Sequence, residues 1–100
     1  MALSTEAEDW IVEIIDAADE LEHFTSTHSH QKALEEIFEE VERYGGRGAV
    51  QKLGEDVLEW TEKGWKPDSA TIRRYARSMV VREFEADIPG YSPLLKTTNG

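Results

Sequence analysis

Apolar residues return every three or four positions in four stretches of this chain, and nowhere do they alternate with polar ones over the length of a strand. A period near 3.6 lines such residues up along one face of a helix, so the chain must bury several helical stripes against one another. The first stretch runs from about Thr5 to Glu22. Trp10, Ile14, Ala17, Leu21 and Phe24 follow four- and three-residue steps, and Ile11, Ile15 and Ala18 widen the stripe. At ~100° per residue these positions cover about half the circumference, more than one packing partner needs. This helix is therefore expected at the centre of the monomer or partly against another chain. Thr5 and Glu8 stand at capping-box spacing at its start.

The segment His23 to His30 reads as a loop rich in Thr and Ser, with Ser29 as the expected N-cap of a second helix ending near Tyr44. Ala33, Leu34, Ile37, Phe38, Val41 and Tyr44 form its apolar face, and Gly45-Gly46 is expected to stop it. A third helix is expected from about Arg47 to Lys63, with Val50, Leu53, Val57 and Trp60 on one face. Gly54 at the edge of that face signals a close helix approach or a kink. After a turn at Gly64-Trp65-Lys66-Pro67-Asp68, Asp68 or Ser69 caps a fourth helix, which runs to about Glu85 with Ile72, Tyr75, Ala76 and Met79 inward. Pro89-Gly90 ends any helix. The expected fold is all-α: a small bundle of about four helices joined by short connections, occupying 1–88 as one domain. Residues 89–100 are expected as an irregular tail, loosely packed or disordered.

One hundred residues suit one domain with a modest core. The chain has no cysteine, which excludes disulfides, thiolate catalysis and cysteine-ligated zinc. No apolar run approaches the ~20 residues of a membrane span, and no secretory signal is visible at the start, so no membrane partner and a cytoplasmic location are expected. No nucleotide-binding glycine fingerprint and no spaced nucleophile and base appear, so neither an enzyme nor a cofactor is expected.

The formal net charge of -10 hides an asymmetry. From Glu6 to Glu62, 17 acids face four bases. From Lys63 to Arg82, six bases face Asp68 alone. Arg73, Arg74 and Arg77 gather on the fourth helix, and the segment Ser69-Ala70-Thr71-Ile72-Arg73-Arg74-Tyr75 resembles the recognition helix of helix-turn-helix proteins. That resemblance implies phosphate or base contacts from Lys66, Arg73, Arg74 and Arg77. The preceding acids Glu55, Asp56, Glu59 and Glu62 fit it only if the motif is stretched. Pairing with acidic helix faces of the same chain is the structural explanation for the same arginines.

Other residues carry weaker signals. Asp9, Glu13, Asp16, Glu20 and His23 share one side of the first helix, either as an ordinary solvated surface or as a lure for a basic partner. Glu20, His23, His28 and His30 are weak candidates for a metal site; only one Glu-x-x-His pair is present, and no metal is expected. Trp65, in a turn, either caps the end of the bundle or anchors a partner. Val81 and Phe84 fall near the arginine side of the fourth helix, where a DNA-facing surface has no need of them. The function expected is therefore a non-catalytic protein-interaction module, a small acidic regulator or adaptor, with self-association through the first or fourth helix as one route. Its interaction surface is expected at Trp65, Lys66, Arg73, Arg74, Arg77, Val81 and Phe84. The alternative is a DNA-associated regulator using the basic helix 69–85.

Overall fold

The computed structural model describes residues 3–20, 27–65 and 67–89, and these form three helices: α1 (Thr5–Asp19), α2 (Thr27–Glu62) and α3 (Ser69–Glu83). The all-α expectation holds, but the count is three rather than about four. The second and third expected helices follow one another with no connecting loop and are counted as one element, α2, but the expected stop at Gly45-Gly46 is present as a break between two helical limbs. Only Gly46 leaves helical backbone, at φ 77° and ψ -166°. That region is open essentially to glycine alone.

The bend at Gly46 is sharp. A straight helix of 36 residues would be about 54 Å long, yet the longest dimension of the molecule is 45 Å. Contacts with α3 give the direction of each limb. Arg73 and Arg77 meet Glu36 and Glu40 in the first limb, so α3 runs parallel to it. Tyr75 meets Trp60 and Asp56, while Glu83 meets Lys52, so α3 runs antiparallel to the second limb. The two limbs therefore fold back on each other. Helices α1 and α3 each pack on α2 and not on one another. The two limbs of α2 thus join the outer helices, and of the two expectations for the first helix, the centre of the monomer or a place partly against another chain, the first is not met.

Packing follows the apolar stripes. Ala7, Ile11, Ile14 and Ala18 of α1 are buried, whereas Trp10 and Ile15 flank them half-buried. Leu34, Ile37, Phe38 and Val41 join Ala49, Val50, Leu53 and Val57 in α2, and Ile72, Ala76, Met79 and Val80 complete the core from α3. Two glycines seat the outer helices. A Cβ on Gly54 would lie 2.3 Å from the Trp10 indole, and one on Gly45 would lie 2.2 Å from Val80 Cγ1. Gly54 thus serves close approach, and the chain kinks elsewhere, at Gly46.

Several helix ends differ from the sequence expectation. Ser4, not Thr5, caps α1, its hydroxyl accepting from the Ala7 amide at 3.1 Å. Helix α1 closes at Asp19, and residues 21–26 lie outside the described residues, among them the expected apolar positions Leu21 and Phe24. Helix α2 begins at Thr27, which leaves Ser29 inside it; no glycine or proline stands between Thr27 and Ala33 to stop propagation. Asp68 caps α3 and accepts from the Thr71 amide at 2.8 Å. Helix α3 ends at Glu83 because Glu85 turns left-handed at φ 56°. Ile88 tucks into the core, and all of the expected tail beyond Pro89, residues 90–100, lies outside the described residues.

Candidate functional site

The basic helix α3 is positioned by its own cap and stripe. Hydrogen bonds from Thr71 hold the Asp68 carboxyl below its ordinary value, consistent with an anionic cap at the positive end of a helix. Burial of Ile72, Ala76, Met79 and Val80 then aims residues 73 and 77 at the first limb of α2. Glu36 and Glu40 are also four residues apart, so the two helices match turn for turn. Arg77 forks onto Glu40, with Nε to Oε1 at 3.0 Å and Nη2 to Oε2 at 2.9 Å. Arg73 Nη2 reaches Glu36 Oε1 at 3.4 Å. Together with Glu39 and Arg43 these four residues line an open groove of about 390 Å³ whose cations are matched by acids. A phosphate entering it would have to displace a bidentate carboxylate from Arg77.

The remaining members of the expected surface divide. Arg74 is exposed, close enough to Asp68 to stabilise its charge. Lys66 lies outside the described residues. Val81 and Phe84 are half-buried and packed against the core. Phe84 lies across Gly48, where a Cβ would meet its ring at 3.1 Å. These two apolar side chains serve the fold of this chain.

Trp65 is built differently. Gly64 turns left-handed at φ 87° just beyond α2. The Gly64 amide donates to the Thr61 carbonyl at 3.0 Å, and the Trp65 amide donates to the Trp60 carbonyl at 3.0 Å. This pair of bonds closes the helix end and brings the residue after the glycine back over the last turn. The Trp65 ring meets Trp60 edge-on at 5.0 Å, and Trp60 meets Tyr75 edge-on at 4.9 Å. The Tyr75 hydroxyl donates to the Asp56 carboxylate. Burial, reinforced by that carboxylate, pushes the Tyr75 phenol well above its ordinary value. A chain of half-buried rings thus leads from the edge of the core to Trp65, which keeps 51% of its surface in solvent. Sequence reasoning missed the Trp60–Tyr75–Asp56 chain, because no local spacing links positions 15 to 19 residues apart. The Gly-Trp pair just after a helix was the signal that placed Trp65.

The acidic face of α1 shows no such construction. Glu8, Asp9, Glu13, Asp16 and Glu20 are exposed, Val12 stands among them at 56% exposure, and α1 contains no base. Glu6 meets Arg47 at 3.7 Å. Of the weak metal candidates, Glu20 is exposed and His30 is half-buried, its pKa lowered by that burial. His23 and the side chain of His28 lie outside the described residues. Among the described residues no three His, Cys, Asp or Glu side chains cluster as a metal site would require. No described helix is long and apolar enough to cross a membrane. Comparison with protein-family models, curated proteins and solved structures gives no match to this chain.

Proposed function

We propose that the chain is a non-catalytic protein-interaction module, a small acidic cytoplasmic regulator or adaptor, that docks a protein partner at the corner where α2 turns into α3. One observation carries this reading: Trp65 is 51% exposed while its backbone is tied to the last turn of α2 and its ring is braced by Trp60. A large apolar side chain already held in one place forfeits little entropy on binding, and tryptophan and arginine dominate binding hot spots. Arg74, exposed on the first turns of α3, supplies a cation for the rim. Arg73 and Arg77 act within the chain, as struts between α3 and α2.

The DNA-associated alternative has less to draw on, since two of its three arginines are engaged by Glu36 and Glu40. It retains Arg74 and Lys66. Quantitative affinity capture with the wild-type chain and Trp65→Ala tests the leading reading. Partners should fall by about 30-fold or more in affinity if Trp65 is a hot spot of ~2 kcal/mol. An unchanged partner set rejects it. A mobility shift of duplex DNA at low salt, abolished by Arg74→Ala, would favour the alternative.

A further inference from the structure

We propose that Gly46 is the hinge of a domain exchange, in which the bent helix α2 opens into one continuous helix and two chains trade their C-terminal halves to form a symmetric dimer. The limbs of α2 are joined by a single non-helical residue, with helical backbone immediately on both sides. Returning Gly46 from φ 77° to helical dihedrals is the only backbone change needed to straighten the element. A helical hairpin with so short a connection has no slack, and short hinges favour exchange between chains.

The contacts that would otherwise be lost are recoverable from a second copy. The N-terminal half supplies α1 and the first limb; the C-terminal half supplies the second limb and α3. Glu36 with Arg73, Glu40 with Arg77, Glu6 with Arg47 and Trp10 over Gly54 all join one half to the other. Each would re-form between chains with unchanged geometry. The core residues of the two limbs, Phe38 and Val41 on one and Leu53 and Val57 on the other, belong to one cluster and likewise come from opposite halves. Exchange therefore keeps the interior, and the balance rests on Gly46 and on chain concentration. Glycine serves the bent form here, because its backbone region excludes other residues and because glycine weakens a continuous helix. Trp65 lies at the far end of the second limb, so failure of this proposal would leave the docking proposal standing.

Gly46→Ala is the direct test, since it penalises the bend and favours the straight helix. A dimer has two hinges. At about tenfold per hinge, sedimentation equilibrium should show dimerisation at least about 100-fold tighter than wild type. Exchange is then identified by mixing. In the Gly46→Ala background, Glu40→Arg and Arg77→Glu each place like charges together when alone. Mixed in equal amounts, they should form a heterodimer in which both pairs are again opposite in sign. A folded Gly46→Ala monomer at all concentrations, or a dimer not improved by mixing, overturns the proposal. If Gly46→Ala does not fold, the wild-type chain decides: refolded from denaturant at high concentration, it should yield a dimer that survives dilution for hours. Recovery of monomer alone then refutes the hinge.

Discussion

Helices α1 and α3 have the same length, 15 residues, and dock on the same partner, yet they are held by different means. Helix α1 sits on apolar contact, with Trp10 over Gly54 and, among the described residues, one ion pair at the rim, Glu6 with Arg47 at 3.7 Å. Helix α3 adds a polar ladder to its apolar seat: Arg73 and Arg77 on Glu36 and Glu40, Tyr75 on Asp56, and Glu83 near Lys52 at 3.9 Å. Charge density alone does not separate them. Acids spaced four apart occur in α1 as Asp9/Glu13, at its end as Asp16 and the C-cap residue Glu20, and in α2 as Glu36/Glu40. Among the described residues, only the latter face arginines at the same spacing. The lesson is that a charged face becomes structural when a neighbouring helix presents the opposite charge in register, and otherwise stays a solvated surface.

The glycine seats offer the strongest way to break this comparison, because they test the contact that both helices share. Gly54→Ala should loosen α1 and Gly45→Ala should loosen α3, each by about 1–3 kcal/mol in chemical denaturation. Alanine ordinarily stabilises a helix by ~1 kcal/mol over glycine, so a loss here reports the missing space. A gain at either site would mean that the helices do not approach so closely.

The ion-pair ladder comes next. Arg77→Met leaves Glu40, whose side chain is only 22% exposed, without its forked partner, and should cost about 1–3 kcal/mol. Glu13→Gln on the outer face of α1 removes a like-charge neighbour of Asp9 and should be neutral or stabilising, within about 0.5 kcal/mol. Equal effects in the two variants would erase the distinction between a structural and a solvated charge.

The finest test is alkaline pH. The Tyr75 phenol titrates higher in the folded chain than in the unfolded one, because burial and the Asp56 carboxylate disfavour its anion. Its contribution is therefore complete below the ordinary phenol value of about 10 and is lost as pH rises from there toward the folded value. Denaturation curves at stepped pH should show this alkaline loss in wild type and a reduced loss in Tyr75→Phe. Hydrogen exchange should report the opening first in α3 amides, since no described contact of α1 involves Tyr75.

Much of the fold is legible in the order of residues. Ile14, Leu34, Ile37, Phe38, Val41, Val50, Leu53, Val57, Ile72 and Met79 lie on the expected stripes and are buried. Burial along one helix depends on residue spacing, which is local. Asp68 is legible as a cap for the same reason. The cap of α1 slips by one residue, to Ser4, since adjacent Ser and Thr carry the same hydroxyl chemistry. The expected interaction surface fares differently. Arg73, Arg74 and Arg77 look alike along the chain, but two turn to α2 and one to solvent. Their partners lie 37 residues earlier, and no short-range pattern carries that information.

The amino-acid order by itself therefore determined the helical character, the buried stripes and the surplus of acid, since each follows from residue type and from spacing within a few positions. Tertiary structure alone decided that the two limbs of α2 fold back on each other at Gly46, that α1 and α3 each pack on α2 and not on one another, and that the arginines divide between strut and surface. Those outcomes depend on which turns of distant segments meet, and only the packing of complementary shapes and charges selects among the registers that the same stripes allow.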